Sequence, residues 1–313
     1  MTGTQMRGAL AAIAWLGVVA AAAAGQDGAP FRQALTLRRV FAHQADPRVA
    51  RFDQASYVVF DTEAPSTADV LLFLGGTGTR PDTPSQFLDI AATLGYRVIS
   101  LAYNDAPAVV GVCSRDPDPS CSAKVREKRI FGSNVTRRID DTPDESIVNR
   151  LTALLKYLDA TYPLEGWRGY LEGDTPRWDR IAVGGHSQGA GMAAFIAQRR
   201  RVPRVVLFSS PWDFFGNPAR LAPWVGDGPG ATPSAVWFGA YHAKENMAAL
   251  IARAYDALRV PHDHIRVFTR EPDRKSGDNP YHISVLSNFA TPHLSGGAAA
   301  YADDWKFLAG HSR

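Results

Sequence analysis

Short apolar runs that alternate with helical patterns constrain this chain more than any other feature. Residues 69–74 (DVLLFL) and 97–103 (RVISLAY) read as buried strands, as do 181–184, 204–208 (RVVLF), 235–239 and 265–268. Runs this short and this continuously apolar, bounded by turn residues, suit strands covered on both faces. Helical patterns stand among them at 87–94, 190–197, 248–258 and 303–308. A further helix is expected to open at Asp144 and Glu145, because Ile147, Leu151, Leu154, Leu155 and Leu158 form one apolar stripe. Such alternation predicts an α/β architecture: a mostly parallel twisted sheet with helices on both faces. Residues 57–60 add an early antiparallel strand. The stretch 104–144 is too long and too polar for a plain connection, and is expected to hold a helical turn or part of a cap.

Composition narrows the function. Lys plus Arg number 34 and Asp plus Glu 31, a net charge of +3 over 313 residues. That balance gives no electrostatic case for a nucleic-acid partner. With 45% hydrophobic and 21% charged residues the chain is neither disordered nor collagen-like.

Residues 1–24 carry Arg7, an apolar uncharged run, and Ala22-Ala23-Ala24 ahead of Gly25. This is the layout of a secretory signal peptide. Residues 25–313 are then a single exported domain, periplasmic or extracellular, with no membrane span. Cys113 and Cys121 bracket the polar stretch SRDPDPS, and in an oxidising compartment they are expected to form a disulfide.

The chemistry centres on Gly185-His186-Ser187-Gln188-Gly189. The pentapeptide follows an apolar strand and opens a helix of small residues (GAGMAAF). Such a turn holds the serine in a strained backbone conformation, and its neighbours must lack a Cβ. The serine Oγ then projects above the carboxyl end of the sheet. The Gln188 N–H lies at a helix N-terminus, which favours developing negative charge.

With these residues the chain resembles the α/β-hydrolase superfamily, over roughly residues 57–310. It looks most like secreted bacterial esterases and lipases, including the dienelactone-hydrolase and polyester-hydrolase branches. The resemblance implies an acyl-transfer site needing no cofactor, and acting on small-molecule or polymeric esters. It places a second oxyanion donor in Gly75-Gly76-Thr77-Gly78-Thr79, with Thr77 preferred and Gly76 the alternative. It places the base on a loop after the last strand, where His282 is preferred over His293. His186 sits beside Ser187 in sequence but points elsewhere, as a support of the turn.

The carboxylate follows one of two strands. Asp213 lies past RVVLF and Glu245 past the 235–239 strand, the family's commoner position. Asp213 is preferred, because Glu245 sits several residues late. Trp212, Phe214 and Phe215 are candidates for an apolar wall near the site. His262-x-His264 reads as polar residues leading into a strand rather than as a metal pair. No phosphate-binding glycine motif is present. The leading expectation is a secreted serine ester hydrolase. A serine peptidase on the same scaffold and a non-catalytic binding protein are the other readings.

Overall fold

Among the described residues eight strands form one central sheet. The computed structural model describes residues 35–65, 67–82, 85–275 and 277–312; the leader read at 1–24 lies outside the described residues. The described residues belong to the unit Gln33–Arg313. The sheet strands are β1 (Leu35–Phe41), β2 (Ala55–Asp61), β3 (Val70–Leu74), β4 (Arg97–Ser100), β5 (Ile181–His186), β6 (Val205–Phe208), β7 (Trp237–His242) and β8 (Ile265–Phe268). Their order across the sheet is β1-β2-β4-β3-β5-β6-β7-β8. β2 is antiparallel to both of its neighbours, and the strands from β4 to β8 run parallel.

Helices cover both faces: α1 (Gln86–Thr93), α2 (Val109–Cys113), α3 (Cys121–Phe131), α4 (Ile147–Thr161), α5 (Gln188–Arg199), α6 (Ala248–Ala257), α7 (Pro280–Ser284) and α8 (Ala302–Ala309). The strand period decides which core each side chain joins. Val70, Leu72 and Leu74 of β3 meet α4 and α5 through residues such as Leu151 and Ala194. Leu71 and Phe73 point the other way and share a core with Phe87 of α1 and Trp305 of α8. All five β3 side chains are buried, so an apolar run is what this position demands.

One strand joins those expected from the sequence, and one expectation is corrected. β1 carries no strong pattern, because Leu37 and Phe41 are exposed and Val40 alone in the strand is buried. It is an edge strand, and Arg38 and Arg39 suit an edge that must not pair further. The helix expected from Asp144 starts later. Thr142 and Glu145 cap a single tight turn, and α4 begins at Ile147 after Ser146, whose Oγ accepts from the Asn149 N–H at 3.3 Å.

The stretch 104–144 holds α2 and α3. Cys113 ends α2 and Cys121 begins α3, and the two form the expected disulfide with Cα atoms 5.6 Å apart. α3 is unusual in burying Arg126 and Arg129. Each is held by an aspartate: Asp213 for Arg126 and Asp141 for Arg129. Buried guanidinium groups are tolerated only with such partners.

The register of β3 against β5 sets Leu74 opposite Gly185. An added Cβ at Gly185 would lie 2.5 Å from the Gly189 carbonyl carbon and 2.6 Å from the Leu74 oxygen. At Gly189 it would overlap the Leu74 carbonyl outright. Gly189→Ala must therefore push α5 off β3, and soluble folded protein is expected to fall sharply, by circular dichroism and yield. Gly111→Ala, where an added Cβ meets nothing within 4 Å, is the matched control and should fold normally.

Candidate active site

β5 delivers Ser187 to a turn whose backbone few side chains accept. Ser187 has φ 54° and ψ −126°, in the region that favours glycine. Main-chain bonds hold it there: its N–H donates to the Phe208 carbonyl at 2.9 Å, and its own carbonyl accepts from Gly191 at 3.3 Å. α5 starts at the next residue, so the Gln188 N–H is among the donors that the helix itself leaves unpaired. The loop after β3 lies against this turn. A Cβ at Gly76 would come within 3.0 Å of the Ser187 Cβ.

That loop is held from behind. The Tyr103 hydroxyl donates to the Gly75 carbonyl at 2.6 Å, the Gly78 N–H to Asp105 Oδ2 at 3.0 Å, and the Thr79 N–H to the Gly76 carbonyl at 3.0 Å. Thr77 is passed over by these bonds and lines the same small pocket as Ser187 and Gln188. The Gln188 side chain is held by two main-chain groups. Its Oε1 accepts from the Val109 N–H at 2.8 Å, and its Nε2 donates to the Asp105 carbonyl. Burial raises the Asp105 carboxyl above its ordinary value, opposed by the Gly78 N–H and the charge of Arg129.

His282 is the imidazole brought to the turn. Asn279 and Pro280 open α7, which carries it. Its Nδ1 lies 2.6 Å from Glu245 Oε2. A carboxylate only accepts, so Nδ1 carries the proton and Nε2 keeps its lone pair. Glu245 is 4% exposed, and its Oε1 accepts from Ser209 Oγ and from the His242 N–H, both at 2.9 Å.

The preference for Asp213 is corrected here. Glu245 does sit late after β7, but a tight turn, with the Glu245 N–H donating to the His242 carbonyl at 3.1 Å, folds its side chain back onto the strand end. Asp213 is not brought to His282. Both of its oxygens accept from Arg126, Oδ2 from Nε at 2.7 Å and Oδ1 from Nη2 at 2.6 Å. Trp224 Nε1 donates to Oδ2 as well, at 3.0 Å. Gly191 makes this possible, since a Cβ there would lie 2.6 Å from the Arg126 Cζ. His293 is engaged elsewhere: its Nδ1 is 2.8 Å from Asp273 Oδ2, and its Nε2 is 3.3 Å from Gln86 Nε2.

His186 supports the turn from below. Its Nε2 lies 2.9 Å from the His282 carbonyl, so Nε2 carries the proton, and the two rings are 4.8 Å apart. Burial, with the neighbouring His282 adding to it, holds the His186 imidazole down to about 3 from 6.5. A histidine kept neutral on folding contributes stability above its unfolded value and loses it as the pH falls. The urea midpoint should therefore drop from pH 7 towards pH 4. The drop should shrink in His186→Gln, whose amide still donates to the His282 carbonyl.

Of the possible apolar wall, Trp212 lines the pocket at Ser187, its Nε1 donating to the Ser209 carbonyl at 3.1 Å. Phe214 and Phe215 instead pair with Arg220–Leu221 in a small hairpin. His264 stacks on Phe238 with centroids 4.0 Å apart, and its Nδ1 donates to the Trp237 carbonyl at 3.0 Å. Among the described residues no group of three His, Cys, Asp or Glu side chains is gathered for a metal, and no helix is long and apolar enough to cross a membrane.

Strand order, turn and covering helices make this an α/β-hydrolase fold. No family model matches the chain, and no curated protein matches it. Solved structures do. A bacterial heroin esterase covers 76% of this chain and 75% of its own, at 17% identity and a TM-score of 0.38. Esterase B from Lactobacillus rhamnosis covers 75% and 74%, at 13% identity and a TM-score of 0.39. A CE1 ferulic acid esterase from the anaerobic fungus Anaeromyces mucronatus covers 92% and 93%, at 10% identity and a TM-score of 0.43.

Proposed function

We propose that the chain is an exported serine hydrolase of carboxylic esters, with Ser187 as nucleophile, His282 as base and Glu245 as the carboxylate that orients it. The observation that carries this reading is His282 Nδ1 at 2.6 Å from the buried Glu245 carboxylate, with the His282 carbonyl 2.9 Å from Nε2 of His186, the residue before the strained Ser187. With Nδ1–H committed to Glu245, the free Nε2 lone pair takes the Ser187 proton as Oγ attacks the ester carbonyl. The N–H groups of Thr77 and Gln188 are the proposed oxyanion donors, and one such donor is typically worth about 3 kcal/mol in the transition state. The carbon–alkoxide bond then breaks and His282 Nε2 returns its proton to the departing alcohol. Water repeats the sequence: it loses a proton to His282, attacks the acyl carbon, and frees the acid and Ser187. The Cys113–Cys121 disulfide and the leader read at 1–24 support export.

The test is labelling of purified protein with a fluorophosphonate probe, located by peptide mass, together with turnover of p-nitrophenyl acetate. Ser187 is expected to carry the label and labelling to stop turnover. An unlabelled protein that hydrolyses no ester would leave the binding-protein reading in its place.

A further inference from the structure

One small pocket holds Ser187, and a second cavity more than tenfold larger opens beside it at Gly76 and His186. The small pocket, of about 40 Å³, holds Ser187 itself with Thr77 and Gln188, and is walled by Val109, Val110 and Trp212. The other, of about 500 Å³, begins at Gly76 and His186 and runs between the loop after β3 and the segment that carries His282. Its walls are mainly apolar, with Phe73, Leu88, Ile283, Leu286 and Phe289 among them. Arg80 stands on this cavity too, and its guanidinium is bound to Asp82.

Chemistry assigns a direction to each. In the tetrahedral adduct the oxyanion lies on its donors, and the two carbon-bearing substituents leave in different directions. The alkoxide oxygen must be reached by the imidazole that protonates it, so the alcohol extends on the side of the His282 segment. One wall of the large cavity is built by residues that follow His282 in the chain, Ile283, Leu286 and Phe289 among them. The small pocket has none of them. The acyl group is left with the small pocket.

We propose that this enzyme takes short acyl groups, acetyl to about propionyl, esterified to a bulky apolar alcohol such as a fused aromatic. The proposal rests on the serine-hydrolase reading above and deepens it. The pocket at Ser187 has less than a tenth of the room of its neighbour, so it takes the smaller of the two substituents. The walls are not free to retreat. Val109 is buried with its N–H on Gln188 Oε1 at 2.8 Å, and the disulfide at Cys113 closes the end of the same short helix. Beneath them the Arg126–Asp213 pair forms a rigid, fully partnered floor. Apolar area buried in the large cavity supplies the binding that a short acyl group lacks.

The experiment measures kcat/KM along p-nitrophenyl acetate, butyrate and octanoate, and separately along methyl, phenyl and 1-naphthyl acetate. Acetate should exceed octanoate by at least ~10-fold, about the least that forcing surplus methylenes into a filled pocket costs. Naphthyl acetate should exceed methyl acetate mainly through KM. Trp212→Ala, with Val110→Ala as a second opening of the same wall, should raise the octanoate-to-acetate ratio. Leu286→Trp should weaken naphthyl acetate more than methyl acetate and leave the acyl-chain ratio where it was. Octanoate turned over as well as acetate by the unaltered protein overturns the proposal while leaving the serine-hydrolase reading intact. So does a Leu286→Trp effect that follows acyl length. Absence of both turnover and Ser187 labelling removes the parent reading, and the proposal with it.

Discussion

Ser187→Ala is expected to lower kcat on p-nitrophenyl acetate by ~10⁵–10⁶-fold, the scale seen when a serine hydrolase loses its nucleophile. The fold should survive, because both hydrogen bonds that hold residue 187 are main-chain bonds that alanine keeps. A thermal midpoint close to that of the unaltered protein would show this. Ser187→Gly sharpens the test. Positive φ costs a side-chain-bearing residue ~1–3 kcal/mol, so glycine at φ 54° should stabilise the protein while activity is lost. Gain of stability with loss of turnover is the signature of strain held for a reacting group. Substantial turnover by either variant would mean that another residue attacks the ester.

Glu245→Gln is expected to lower kcat by ~10³–10⁴-fold, as in other triads whose carboxylate becomes an amide. The amide no longer favours a proton on Nδ1 or an imidazolium in the transition state. KM should change little, since Glu245 is buried behind His282 and out of reach of the substrate. Asp213→Ala should behave in the opposite manner. It leaves the buried Arg126 guanidinium without its partner, which costs about 3–5 kcal/mol of stability, while kcat should fall far less than in Glu245→Gln, because Asp213 does not touch His282. Stopped-flow kcat and urea unfolding on both variants check this. A large kcat loss in Asp213→Ala with Glu245→Gln nearly unimpaired would exchange the two roles.

Much of the architecture was legible because its causes are local. The β3 run Val70–Leu74 is buried on both faces, and only an apolar strand satisfies that. The turn at Ser187 is legible for the same reason. Gly185 and Gly189 lie within two residues of the serine, and the steric clash that requires them is written in that short span. β1 escaped notice because an edge strand with one buried side chain has almost no apolar alternation to read.

The choice of acid shows where local patterns stop. Asp213 and Glu245 each follow a parallel strand and each suits the role by residue type. What separates them is Arg126, 87 positions from Asp213 on a helix whose buried face is cationic. His293 was withdrawn from the site in the same way, by Asp273 and by Gln86, 207 positions away. Strand, helix and the bend between them follow from neighbouring residues, whose sterics and burial repeat within a few positions. Which carboxylate serves the imidazole depends on which cation reaches it first in space, and only the packed chain brings those groups together.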